Sequence, residues 1–508
     1  PFSRWTLWLA STTPLPVHSP FSTTTTIMAS SKPDDYMILR PERLGAFDVL
    51  GLPFSRKKLI DYKFVECGTE TALELRHVKA GWVLVLVYIQ KILAVISAPM
   101  KWTGIIVEFF LNLLSLNGGF LGLIWHIVTA SVKLPRRDAA NFRSFLAHID
   151  GRLDLYKQTS LISYFPWMDP QSILGDFKLL DLTMMAAKVA YENEAYIKEA
   201  VEKNWKMHFV GFFNCWNKYL SEKTTQAFIF CDKPVDASLI CLAFRGTEPF
   251  NAQDWSTDVD ISYISMGSKM GKVHLGFMKA LGLQNETDFA AGFPAAQPTN
   301  EADKPLAYYA VRGSLIKLLV THPNAKVLVT GHSLGAALAC LFPALLVYHG
   351  QEDILGRMLG VVTHAQPRVG DATFAGYMES AIAKVYCRVV YRYDIVPRVP
   401  FHHPPVALFS HFGTTLYYKN WYEGQVVSEV PNPNYFDPRF VIPMYWNAWG
   451  DLLKALFLGR TQGKDFKEGW VSILFRASGL LLPGAASHSP RDYVNGARLA
   501  KIAPKDQV

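Results

Sequence analysis

The chain has 508 residues, 50% of them hydrophobic, a net charge of +8 and six cysteines, with a pI near 9.0 and a mean hydropathy of +0.11. That length exceeds one ordinary core, so a catalytic-sized domain with a substantial extension is expected. The cysteines, at positions 67, 215, 231, 241, 340 and 387, are scattered and mostly in apolar runs, which excludes a disulfide framework or a zinc site and points to reduced thiols in a cytosol-facing protein. The basic surplus carries no motif interleaved with aromatics, so its natural neighbour is an anionic lipid surface and not nucleic acid.

In chain order, residues 1–27 are rich in Ser, Thr and Pro, with no acidic residue before Asp34. They are expected to be a disordered leader translated ahead of Met28, with a transit peptide as the alternative, and residues 28–80 form an N-terminal segment. Residues 81–134 are strongly apolar. A first run is interrupted by Gln90 and Lys91 and stops at Pro99, and a second, residues 105–132, carries Glu108, Asn112, Asn117, Gly118 and Gly119. A central Lys costs about 3 kcal/mol on insertion and each Leu, Ile or Val returns only about 0.3–0.6, so each run is a poor lone span. Residues 99–104 can turn the chain, and basic residues flank both outer ends (Arg56, Lys57 and Lys58; Arg136 and Arg137). The pair is therefore expected to be a hairpin dipping into one leaflet, with buried helices of an accessory domain as the alternative. Residues 135–225 show apolar positions at helical spacing and are expected to be a helical connector.

From residue 226 onward strands alternate with helices, which predicts a mostly parallel sheet. Residues 238–244 are an apolar strand running into Arg245, Gly246 and Thr247. Residues 326–339 are a strand entering Gly331-His332-Ser333-Leu334-Gly335 and then a small-residue helix. This is the pattern of a nucleophile elbow, where the reversal is so tight that the positions two residues either side of the serine must be glycine. Residues 359–365 read as a buried strand, and residues 388–394 as another that ends at Asp394. Residues 415–430 are tyrosine-rich β-structure, and residues 440–482 are unusually apolar, with Tyr445, Trp446 and Trp449 on an amphipathic helix.

A serine hydroxyl needs a base, and the base a carboxylate, in the order Ser, Asp or Glu, His along hydrolases of this kind. Asp394 at a strand end is the candidate acid, ahead of Asp371 at a helix start. His488, on a polar loop before a closing helix, is the candidate base, ahead of His402, His403 and His411. The oxyanion of acyl transfer needs preorganised donors: the backbone N–H of Leu334, just after the nucleophile, and Thr247 at the end of the earlier strand. Such chemistry needs neither metal nor organic cofactor, and none is expected.

Six islands together resemble the class 3 lipase family, specifically the plant oil-body lipases: residues 243–249, 273–277, 331–336, 366–371, 393–398 and 488–493. The resemblance implies an α/β-hydrolase fold, mostly parallel, behind a hydrophobic helical N-terminal extension. It implies a Ser333, Asp394, His488 triad with Thr247 and Leu334 as oxyanion donors, and hydrolysis of acylglycerols at a lipid surface. It places an interfacial lid in residues 250–270, and residues 440–482 are a second candidate cover. The expected site of action is a lipid-droplet or oil-body monolayer facing the cytosol, reached by way of the endoplasmic reticulum. The same machinery would serve a phospholipase A1, whereas a silent lipase-like scaffold would require a broken triad. Residues 285–304 look like a surface insert, and His274 like a hydrogen-bonded structural residue. Oligomeric state, acyl length and positional preference are not encoded in any motif.

Overall fold

The computed structural model describes residues 35–52, 57–156, 179–284, 292–404, 406–419 and 422–502. The expected leader, residues 1–27, lies outside them. The strands in chain order are β1 (Tyr36–Leu39), β2 (Val65–Cys67), β3 (His208–Asn217), β4 (Glu222–Cys231), β5 (Leu239–Phe244), β6 (Tyr263–Ser265), β7 (Lys272–His274) and β8 (Lys326–His332). They continue with β9 (Met358–His364), β10 (Gly370–Asp371), β11 (Tyr386–Tyr391), β12 (Phe409–Ser410), β13 (Thr414–Tyr418), β14 (Glu423–Val427) and β15 (Lys501–Ile502). The helices that matter to the site are α1 (Gly81–Leu116), α2 (Gly119–Val128), α3 (Leu179–Val189), α4 (Ala252–Val259), α5 (Ala307–Thr321), α6 (Leu334–Tyr348), α7 (Val441–Thr461), α8 (Trp470–Ser478) and α9 (Pro490–Leu499).

Among the described residues, nine strands form the main sheet in the order β15-β14-β13-β11-β9-β8-β5-β4-β3. Its centre, β5-β8-β9-β11-β13, is parallel, and β4 and β3 extend one edge antiparallel. Parallel strands read as apolar runs because both faces are covered, and alternate side chains here enter two separate cores. Ile240, Leu242, Val327, Val329 and Val361 pack with α5 and α6. Leu239, Cys241, Leu328, Val362 and Val389 pack with α3 and α9 on the opposite face. This is an α/β-hydrolase sheet, and the carboxyl ends of β5, β8 and β11 converge on one rim.

Two expectations about organisation change. Residues 208–217, inside the expected helical connector, form edge strand β3, because its run of Phe, Val, Cys and Trp pairs with β4 along its whole length. The N-terminal segment is part of the same folded body. β1 pairs with β6 in a second, antiparallel sheet, and Val83, Leu86 and Val87 of α1 are buried beneath it against Leu59, Phe64 and Phe409, contacts worth about 1.5–3 kcal/mol per side chain.

The turn expected at residues 99–104 is absent: α1 runs unbroken for 36 residues with Pro99 inside it. Gly104 serves a different end, since a Cβ there would lie 2.6 Å from Phe250 Cβ. The helix ends instead at Gly118 and Gly119, both at positive φ. After α2 the chain returns along α1 through a polar ladder that uses the residues which spoiled the span. Asn117 exchanges two 2.9 Å hydrogen bonds with the backbone of Lys133, and Asn112 two of 2.8 Å with that of Arg143. Glu108 accepts from the Phe145 N–H at 3.1 Å and pairs with Arg137. By length and composition alone, α1 is apolar enough to cross a membrane. Its outward face exposes Val95, Trp102, Ile106 and Phe110. Of the expected insert, residues 285–291 lie outside the described set and the remainder includes a short 3-10 turn at Thr299–Glu301.

Candidate active site

Strand β8 delivers the chain into a reversal at Ser333, whose φ of 60° and ψ of −131° no β-branched or bulky residue tolerates cheaply. The flanking glycines are sterically required: a Cβ on Gly331 would sit 2.2 Å from the Gly335 carbonyl oxygen, and one on Gly335 would sit 2.4 Å from that of Phe244. The Ser333 N–H donates to the carbonyl of His364 at the end of β9, 3.1 Å away, which pins the strained residue. Its side chain then stands at the start of α6.

The Ser333 Oγ lies 2.8 Å from His488 Nε2, and His488 Nδ1 lies 2.9 and 3.0 Å from the two Asp394 carboxylate oxygens. With Nδ1–H donating to Asp394, Nε2 is left to accept the serine proton, the tautomer that a general base requires. Asp394, three residues past β11 and fully buried, also accepts from the Val396 N–H at 2.9 Å and from the Tyr493 hydroxyl at 2.6 Å. His488 sits in a tight loop just before α9, which carries Tyr493 on its first turn. The alternatives are engaged elsewhere. Asp371 caps the helix at Ala372–Ile382, His402 faces the Phe409 carbonyl, His403 packs on Trp82, and His411 faces the Pro397 carbonyl. His274 is buried, bonded to the Asp260 carbonyl and held by burial at a pKa of about 4.

Leu334 opens α6, so its N–H has no partner within the helix and points from the positive end of the dipole. Thr247 lies beyond the end of β5, and its hydroxyl donates to Asp258 of α4 at 3.1 Å. Burial, then the charge of Asp254, pushes the Asp258 carboxyl well above its ordinary range. His332 packs its ring 4.6 Å from that of His488. Burial and the two neighbouring histidines keep it far below its usual pKa, and its Nδ1 pairs with the Tyr191 hydroxyl at 2.9 Å. Asp258, Tyr493 and Tyr191 were not singled out from sequence. Tyr493 lies within the 488–493 island, one α-helical turn past the histidine loop, and that spacing is the only local signal any of them offered.

Two covers flank this relay. In α4, Trp255 packs edge-on to the His488 ring at 6.3 Å, and α1 lies across the helix. Within residues 250–270, where a lid is expected, Tyr263–Ser265 form β6 of the second sheet. Residues 440–482 form α7 and α8, and buried ion pairs tie them down: Asp451 to Arg392 at 2.6 Å, and Arg476 to Glu468 and Asp492 at 2.6 and 2.9 Å. Among the described residues no cluster of His, Cys, Asp and Glu is arranged to hold a metal.

A hydroxyl, an imidazole and a carboxylate in line at the carboxyl rim of a doubly covered parallel sheet define a serine hydrolase of the α/β-hydrolase class. The lipase (class 3) profile matches residues 241–403. Proteins named triacylglycerol lipase OBL1 match over most of their length: that of Nicotiana tabacum is 44% identical over 479 residues, 83% of each chain. That of Arabidopsis thaliana is 39% identical over 492 residues, 92% of this chain and 95% of the relative, and that of Ricinus communis 37% over 454 residues, 82% and 86%. The chain belongs to the class 3 lipases, in the group that includes these plant oil-body proteins, and is a carboxylic ester hydrolase.

Proposed function

We propose that the chain hydrolyses triacylglycerol, and diacylglycerol after it, at the cytosolic face of a lipid droplet. The observation that carries this reading is the unbroken Ser333–His488–Asp394 relay in a chain whose relatives are named triacylglycerol lipases. His488 takes the Ser333 proton as Oγ attacks the ester carbonyl carbon, and Asp394 holds the imidazolium. The oxyanion is received by the backbone N–H groups of Thr247 and Leu334, donors of a kind worth about 100- to 1,000-fold in kcat each. His488 then protonates the leaving glyceride oxygen, and water repeats the sequence on the acyl-Ser333.

In this reading α4 is the lid, closed over His488 through Trp255, and a lipid surface opens it by offering equal burial to the rings of Trp255 and Phe250. The exposed apolar faces of α1 and α2 hold the enzyme on the monolayer, with the polar ladder beneath them keeping both ends of the segment in the cytosol.

Released fatty acid from emulsified triolein and from a phosphatidylcholine of the same acyl composition is the deciding measurement, with wild type and His488→Ala in parallel. Triolein turnover that falls by about 1,000-fold or more in the variant is the expected result. Preference for phosphatidylcholine would make the enzyme a phospholipase A1, and full activity of the variant would remove His488 from the relay.

A further inference from the structure

Helix α7 is apolar on two sides. Met444, Ala448, Ala455 and Leu458 face inward, while Trp446, Trp449, Leu453 and Phe457 face outward, with Trp446 73% and Trp449 51% exposed. The outward residues recur at spacings of three and four, so they form one stripe along a helix of 21 residues, about 30 Å in length. Trp470 and Leu474 of α8 add to the exposed apolar surface beyond it. The stripe is presented rigidly, because Asp451 on its inner side is locked to Arg392 and the following helix is locked through Arg476.

We infer that the outer stripe of α7 is a second lipid-docking face, separate from α1 and α2, that sets the catalytic rim on a phospholipid monolayer. This rests on the reading of the chain as an enzyme of lipid surfaces. Charge selects the occupant. Past the end of the stripe Arg460, Lys464 and Lys467 are exposed against the single exposed acid Asp465, whereas Asp451 and Glu468 turn inward to arginines. Tryptophan at an apolar stripe bordered by outward cations is the pattern of a helix lying at the headgroup boundary of an anionic layer. The location is functional, since Arg392 lies two residues before Asp394, and Asp492 lies four after His488 and accepts from Arg476 of the same cap. A lipid surface gripped by α7 is thereby registered to the acid and base of the relay.

The test uses the full chain and triolein droplets coated with phosphatidylcholine, alone or with phosphatidylserine. Flotation measures partition, and hydrolysis of soluble p-nitrophenyl butyrate measures the folded site. W446S/W449S/F457S is expected to lose at least about tenfold in partition while keeping soluble-ester turnover. R460E/K464E/K467E is expected to lose its preference for phosphatidylserine-containing droplets. Unchanged partition of the first variant overturns the inference. So does a wild-type dimer that the same substitutions split while partition stays intact, which would make the stripe a contact between copies. Should the first variant lose soluble-ester turnover, the second decides, and a phosphatidylserine preference that survives it overturns the inference. Wild type that cleaves the soluble ester yet never floats overturns the droplet reading as well, whereas floating wild type with an indifferent α7 variant leaves that reading standing.

Discussion

Helix α4 and the cap formed by α7 and α8 both lie beside His488, yet one is attached through rings and hydroxyls and the other through buried charges. The α4 segment holds on by Trp255 against His488, by the Thr247 hydroxyl on Asp258, and by Phe250, which sits against Gly104 and 5.0 Å from Phe145. The ring contacts can be exchanged for contacts with lipid at little net cost, whereas moving α4 must also break the hydrogen bond between Thr247 and the buried Asp258. The cap is held by Arg476 between Glu468 and Asp492, by Arg491 against both acids, and by Arg392 on Asp451. Lifting it would strand buried ions at several kcal/mol each. Under the proposed reading, the contrast makes α4 the moving cover and residues 440–482 a wall.

The largest way to break this contrast is Arg476→Ala. It leaves Glu468 and Asp492 buried beside one fewer cation and is expected to cost about 3–5 kcal/mol of stability, read as a fall in the urea midpoint. A loss below about 1 kcal/mol would mean that the cap is not fastened by its charges and could lift as a lid does.

Gly104→Val should have a smaller effect of a different kind. Its Cβ would lie 2.6 Å from Phe250 Cβ, so the strap leading into α4 must yield, at about 1–3 kcal/mol. With α4 as the proposed lid, hydrolysis of a soluble ester should become less dependent on an added lipid surface. An unaltered ratio of activity with and without lipid would show that α1 does not restrain α4.

What sequence made legible was the chemistry that leaves a local trace. The strain at Ser333 demands Gly331 and Gly335, and Asp394 and His488 stand at a strand end and in a loop before a helix, all visible within a few residues. Partnerships across the chain left no such trace: Tyr191 meets His332 from 141 residues away, and Asp258 reaches Thr247 only once α4 has folded back. Glu108, Asn112 and Asn117 read as flaws in a membrane span because their partners, the backbone at Phe145, Arg143 and Lys133, lie on a returning strand of chain that hydropathy cannot anticipate. Strand β3 was missed for the reason that an apolar run suits either period until its neighbour is known.

The two covers also differ in the pH dependence of the acids nearest the relay. On the lid side, burial outweighs Arg245 and raises the Asp254 carboxyl to about 7, against an ordinary value near 3.8 in the unfolded chain. The folded state there holds a proton that the unfolded state has released, so between about pH 4 and pH 7 this group makes stability fall as pH rises. On the cap side burial raises the Asp451 carboxyl despite Arg392, yet Arg476 and Arg491 hold Asp492, and Arg491 and Arg476 hold Glu468, below the usual carboxylate range. Asp492 and Glu468 favour the folded state above that range, and their contribution is lost as pH falls through their folded values. Asp254→Asn should therefore remove about 2 kcal/mol of the decline in unfolding free energy between pH 5 and pH 7 while leaving the acid limb untouched. A variant whose decline matches wild type would place a charged Asp254 under the closed lid, and the division between a neutral, movable cover and an ionic, fixed one would then rest on the cap alone.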